Sequence, residues 1–199
     1  MIRKKSLAGV LLGVTLAALP ALAQEETGRS EVSVQAFGSF VKKTTENGVQ
    51  QSATDSGGVL ANYRFFFSKH HGVEANYGYS LNTQSYGLGT GTVGVKANQH
   101  EFSAAYVYRH PLRLFTPFVE AGVGGLVFNP KDAPGISTQT RAAFVYGGGA
   151  DFNITHRFFA RAQYRGLVYN SPTFDLAPVA GLDRVTHRAE PSIGFGYRF

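Results

Sequence analysis

Three groups of residues in this sequence have the types that site chemistry needs. His100, Glu101 and Ser103 stand close together, as do His187 and Glu190. A histidine beside a hydroxyl and a carboxylate is the pattern of nucleophile activation by an adjacent base. His70, His71, His110 and His156 are potential metal ligands, since imidazole is the commonest one. The third group is electrostatic: Arg64, Glu74, Glu101, Glu120, Asp151, Arg161, Arg165, Arg188 and Glu190 all lie on the polar alternate of segments whose other alternate is apolar. Cysteine is absent, which removes disulfides and thiolate metal sites. The net charge of +6 includes Arg3, Lys4 and Lys5, and without a basic tract, phosphate loop or zinc spacing nucleic acid is not an expected partner.

Whether any of these groups can act depends on the elements that carry them. Arg3, Lys4 and Lys5 precede an apolar stretch from Leu7 to Leu19, and Ala21 and Ala23 then place small residues before Gln24. This is the layout of a secretory signal, so residues 1–23 are expected to be removed between Ala23 and Gln24. The stretch rises only about 20 Å as a helix, short of a bilayer core about 30 Å thick. No later apolar run is long enough to span as a helix. Gly, Tyr and Phe are frequent, as in chains built from many short strands.

Period-2 alternation divides residues 24–199 into eight segments, at about 30–41, 57–67, 72–81, 97–108, 115–128, 141–152, 158–169 and 187–199. Each is near the roughly 9–11 residues that a tilted strand needs to cross a bilayer. The connections alternate in length. Those near residues 68–71, 109–114 and 153–157 are short, whereas those near 42–56, 82–96, 129–140 and 170–186 are long and polar. The reading is an all-β chain: a closed antiparallel up-and-down transmembrane β-barrel of eight strands, with short periplasmic turns and long extracellular loops.

In a membrane the nine charged residues must point inward, because a basic side chain facing lipid at mid-depth costs roughly 2–4 kcal/mol. Four arginines against five carboxylates are nearly balanced, and an eight-stranded barrel is only wide enough for side chains to fill it. The expectation is therefore a salt-bridged interior. Phe65, Phe67, Tyr106, Tyr108, Phe115, Phe152, Phe158, Tyr197 and Phe199 are expected in one interfacial girdle. Phe40, Tyr79, Phe128, Phe144 and Tyr169 are expected in the other. Alternation sends His100 and Glu101 to opposite faces, which weakens the nucleophile reading. The four histidines fall in or beside the short turns with Lys69, Arg109, Arg113 and Arg157, a basic collar suited to anionic headgroups more than to metal. No cofactor or metal is expected.

The chain closes on Ile193-Gly194-Phe195-Gly196-Tyr197-Arg198-Phe199, with Ile193, Phe195, Tyr197 and the terminal Phe199 at every second position. This run resembles the C-terminal assembly signal of bacterial outer-membrane proteins. With the eight segments, residues 24–199 resemble the OmpA/OmpX-like small outer-membrane β-barrel superfamily along their whole length. The resemblance implies a bacterial outer-membrane location after export through the periplasm. It also implies contact with the secretion and barrel-assembly machinery, and with outer-membrane lipids including lipopolysaccharide. Unlike OmpA, the sequence carries no peptidoglycan-binding domain after the barrel, so wall anchoring is not expected. Pro191 is expected in a bulge or near the outer rim, since proline interrupts a strand ladder.

A monomeric, non-enzymatic barrel meeting an extracellular ligand through its four long loops is the main functional expectation. A small-solute or ion pore is the alternative, because Gly122, Gly124, Gly147, Gly149, Gly194 and Gly196 could leave internal space. Some similar barrels modify lipid A with a histidine, a serine and a carboxylate near the outer rim, but the His-x-Ser spacing of lipid A deacylases is missing here.

Overall fold

Successive side chains of a strand point to opposite faces, so a chain with one apolar and one polar alternate set settles between two different solvents. The computed structural model describes residues 29–42, 44–46, 49–87, 92–131, 135, 137–174 and 185–199. These form β1 (Ser30–Val41), β2 (Thr44–Glu46), β3 (Val49–Ala53), β4 (Ser56–Phe66), β5 (His71–Gly87), β6 (Thr92–Arg109), β7 (Phe115–Pro130), β8 (Gln139–Asn153), β9 (Phe158–Asn170) and β10 (Val185–Arg198). No helix occurs among the described residues. Eight strands, β1 and β4–β10, pair antiparallel in the order β5-β4-β1-β10-β9-β8-β7-β6, and the β5–β6 pairing closes the barrel.

The strand registers fix the barrel's geometry. Starting at Glu31, the pairings run through Arg64, Glu74, Ala105, Gly122, Val145, Leu167 and Arg188 and return to β1 at Val41. The circuit therefore closes ten residues further along β1, from 31 to 41. Such an offset requires the strands to tilt by roughly 40° from the barrel axis.

Ser30 N–H donates to the Phe199 carbonyl at 3.2 Å and Phe199 N–H to that of Ser30 at 2.9 Å, so both ends of the described barrel meet on the side of the short turns. Polar side chains tie those turns. Ser68 Oγ accepts from His71 N–H at 3.1 Å, and Thr155 Oγ1 from Phe158 N–H at 2.9 Å. Short hydroxyl side chains favour turns because they bond backbone donors a few residues on.

Three expectations about the elements need correction. β5 and β6 extend to 17 and 18 residues, far past a bilayer crossing, and the 42–56 connection contains the β2–β3 hairpin. That hairpin joins the outer end of β5, with Gln50 opposite Gly87 and Ala53 opposite Gln84. Beyond the lipid the outer face of a sheet meets water, so the apolar alternation that marks a membrane strand fades while backbone pairing persists and Ala53, Val95 and Ala97 still turn inward. Phe128 and Tyr169 do not join the outer girdle, since both are buried inside the barrel. Pro191 lies in neither a bulge nor the rim. It pairs with Tyr164 in unbroken register on β9. On the β1 side the ladder lapses from Phe37–Ser192 to Phe40–Ala189 and resumes in the same register. The missing N–H is absorbed by a local gap in pairing, with no inserted residue.

Candidate functional site: the filled lumen

The inward set of each strand converges on the barrel axis. Arg64, Glu74, Glu101, Glu120, Asp151, Arg161, Arg165, Arg188 and Glu190 are all buried there, and even Glu120 is only 5% exposed. Arg64 donates through Nε to Glu74 and through Nη2 to Glu120 Oε2 at 3.1 Å. Arg161 forms a two-pronged contact with Asp151, at 2.6 Å from Nε and 2.8 Å from Nη2. Planar guanidinium matches carboxylate in this way, which adds orientation to attraction. Higher in the barrel, Arg165 donates to Glu101 and, at 3.3 Å, to Glu190 Oε2. Arg188 Nη2 reaches Glu101 Oε2 at 2.7 Å and also pairs with Glu190. Neutral groups link the layers: Gln163 Nε2 donates to Glu120 Oε1 at 2.8 Å, and Ser192 Oγ to Gln35 Oε1 at 2.9 Å.

Three members of this network were missed by sequence reasoning. Glu31 accepts from Arg161 at 3.1 Å, Arg109 at 2.7 Å and Arg198 at 2.9 Å, and so forms the periplasmic floor. Glu31 lies on the same alternate face as Ser33 and Gln35, a signal present in the sequence. Arg198 shares the polar alternate of Arg188, Glu190 and Ser192, so its signal was also present, whereas Arg109 stands at a strand end beside the turn, where the alternation stops. With them the network holds six arginines (Arg64, Arg109, Arg161, Arg165, Arg188, Arg198) and six carboxylates (Glu31, Glu74, Glu101, Glu120, Asp151, Glu190). Aromatic rings pave the floor: Arg109 lies 3.4 Å over Phe66 and Arg64 3.9 Å over Phe118. Cation–π contact of this kind gains strength when desolvated.

The outer half of the lumen is different. Val95, Ala97, Leu126, Phe128, Ala143, Val145, Leu167, Tyr169 and Phe174 make one buried apolar cluster between β6 and β9. Phe174 covers it with a backbone φ of 50°, a left-handed conformation uncommon for a bulky residue. Gln139 Oε1 holds that turn by accepting N–H bonds from Thr173 at 3.0 Å and Phe174 at 3.1 Å.

The glycines on strand faces make room for their neighbours. A Cβ on Gly149 would fall 2.9 Å from the Phe118 ring, one on Gly196 2.2 Å from Phe159, and one on Gly147 3.0 Å from the Glu120 carboxylate.

The other candidate groups are separated by the barrel wall. His100 faces outward, with its Nδ1 2.9 Å from the Tyr77 hydroxyl, while Ser103 points inward and donates to Glu101 Oε1 at 3.3 Å. His187 likewise meets the Tyr146 hydroxyl outside at 2.8 Å, and Glu190 is buried inside. His70 stacks on His110 at 5.7 Å, yet no three His, Asp or Glu among the described residues are grouped to hold a metal. Ile193 and Phe195 project outward at 68% and 69% exposure, and Tyr197 stacks on Phe199 at 6.1 Å. Ala21, Ala23 and Gln24 lie outside the described residues.

An apolar band outside, a charged lumen inside and closed antiparallel pairing together define an integral outer-membrane β-barrel. The chain belongs to the family described as outer membrane protein beta-barrel domain, whose family model matches residues 9–199. Its location is the bacterial outer membrane. Among solved structures it is similar to the outer membrane protein OprG from Pseudomonas aeruginosa, at 16% identity and a TM-score of 0.60, over 88% of this chain and 98% of that one. It is also similar to Neisserial surface protein A, at 12% identity and 0.64, over 88% and 100%. A third is Ail of Yersinia pestis, in complex with the heparin analogue sucrose octasulfate, at 19% identity and 0.56, over 88% and 100%. At these identities the likeness concerns the fold. No curated protein sequence matches the chain.

Proposed function

We propose that this protein is a closed, non-enzymatic, monomeric surface-interaction barrel that meets an extracellular ligand through the loops and strand extensions above the membrane. The observation that carries this reading is the filling of the lumen. Ion pairs run from Arg109 and Arg198 at the periplasmic floor to Arg188, and the apolar cluster continues to Phe174. Residues 24–199 form the barrel after loss of the signal peptide. Ile193, Phe195, Tyr197 and Phe199 act as the assembly signal, and lipopolysaccharide and phospholipid surround the outward face.

The geometry favours the surface as the working part. β5 and β6 continue well beyond the roughly 9–11 residues of a crossing and carry the β2–β3 hairpin on their outer end. Ail, a relative in fold, has been solved with a sulfated ligand, which makes an anionic surface glycan a reasonable first probe. Cells expressing the protein should bind a surface ligand that variants with shortened loops do not. Binding that survives shortening of all four loops would overturn the proposal.

A specific observation favours the pore alternative. Buried polar atoms of Ser39, Ser56, Asn76, Gln99 and Arg188 lack hydrogen-bond partners among the described residues, and such groups usually hold water. Single-channel recording in planar bilayers decides between the two. A silent bilayer from protein that shows heat-modifiable gel migration supports the closed barrel, and reproducible discrete steps establish a pore.

A further inference from the structure

At the periplasmic mouth, outside the network just described, the turns joining β6 to β7 and β8 to β9 enclose a hollow of about 620 Å³. Arg157, His156, Asn153 and the terminal Phe199 line it, above a floor of Arg109 and Arg198. An adjoining hollow of about 470 Å³ shares Asn153, His156 and Arg198 and adds Arg113 and Ile154. The floor cations are already engaged: Arg198 donates to Glu31 at 2.9 Å and to Asn153 Oδ1 at 2.6 Å, and Arg109 to Glu31 at 2.7 Å. The rim cations are not. Arg113 and His156 have no hydrogen-bonding or ion-pair partner among the described residues, and Arg157 has only the Tyr197 hydroxyl, at 3.1 Å, for its guanidinium.

The surroundings sharpen the ligand. Turn residues 67–70, 110–114 and 154–157 contain no Asp or Glu, so the turns themselves supply no side-chain anion to these cations. Leu114 and Ile154, at 76% and 58% exposure, flank Arg113 and sit next to the outward Phe115–Phe152 stack. Cations beside exposed apolar side chains at the membrane boundary match an amphiphile with an anionic head, more closely than a freely diffusing ion.

We propose that Arg113, His156 and Arg157 form a defined phosphate site at the periplasmic mouth, filled by the headgroup of an anionic inner-leaflet phospholipid whose acyl chains lie against Leu114 and Ile154. A diffuse basic collar would involve Lys69 equally. Lys69 is on the third turn and lines neither hollow, which makes it the internal control.

The test uses the whole protein isolated from membranes and reconstituted in phosphatidylcholine nanodiscs, with backbone amide shifts as the readout. Phosphatidylglycerol should move the amides of Arg113, His156 and Arg157 saturably. Arg113→Gln and Arg157→Gln should each weaken that response about fivefold, as expected of one basic residue at a charged surface, whereas Lys69→Gln leaves it unchanged. Heat-modifiable migration confirms that the variants fold. An equal loss in Lys69→Gln, or shifts that never saturate, overturns the site. The same shifts from inorganic phosphate without phosphatidylglycerol show a soluble-anion site and overturn the lipid assignment. Glu25 and Glu26 precede Arg29 in the sequence, so the double variant E25Q/E26Q is included. If it alone shifts these amides without anionic lipid, the occupant is the chain's own N-terminal segment and the proposal fails.

Discussion

At the periplasmic half of the lumen, Arg161 is surrounded by Asp151, Glu31, Asn62 and Ser33, all within hydrogen-bonding distance. In the outer half, Leu126, Phe128, Val145 and Leu167 pack against one another with no exposed area. Both regions close the same tube, but they fail in different ways. An ion-pair network is specific and unforgiving, because deleting one member strands a charge that water cannot reach. An apolar cluster loses only the contacts of the deleted atoms and the cavity they leave. The lower half therefore fixes which strands face one another, and the upper half adds burial without demanding particular partners.

The largest effect is expected from Arg161→Met, which keeps most of the volume and removes the charge. Asp151 would retain only Arg198, at 3.6 Å, and Glu31 would lose its deepest partner. We expect a loss of about 3–5 kcal/mol in urea unfolding in lipid vesicles. Adding Asp151→Leu should recover most of it, since an apolar pair leaves no stranded charge. A double variant no better than the single one would mean that geometry, not charge, holds this half. Raising the salt concentration should change none of these values, because the groups are shielded from solvent ions.

Leu126→Ala tests the other half and should cost about 3 kcal/mol. No second substitution at a distance should rescue it, because no partner is left unpaired. Rescue by a larger side chain at Ala143, another member of the cluster, would in contrast fit simple refilling of the cavity.

The same contrast explains what the sequence made legible. Lower strand halves alternate cleanly, as in Arg161, Gln163 and Arg165 against Ala160, Ala162 and Tyr164, so the inward charges could be read residue by residue. The outer halves read Leu126-Val127-Phe128, Phe144-Val145-Tyr146 and Leu167-Val168-Tyr169. A strand with apolar surroundings on both faces has no alternation to detect. That is why Phe128 and Tyr169 were expected in the girdle, although each shares the parity of inward residues on its own strand. The raised sheet escaped notice for the opposite reason, since only a few small or isolated apolar residues there, Ala53, Val95 and Ala97, turn inward among polar ones. Registers and the floor formed by Glu31, Arg109 and Arg198 depend on which strands are neighbours across the barrel, information that no single segment carries.

The smallest effects test how tightly the barrel wall itself is packed. A Cβ at Gly147 would fall 2.5 Å from the Tyr164 carbonyl oxygen, a clash with main chain that cannot be relieved by turning a side chain. Gly147→Ala should cost about 1–3 kcal/mol. Gly125, on the neighbouring β7, has nothing within 4 Å of its Cβ position, and Gly125→Ala should stay within about 0.5 kcal/mol of the parent. The pair therefore tests how closely the strands of the wall are packed, with Gly125, on the outward face of β7, as the control, and an unchanged unfolding midpoint in Gly147→Ala would mean that β8 and β9 lie further apart here than their register requires.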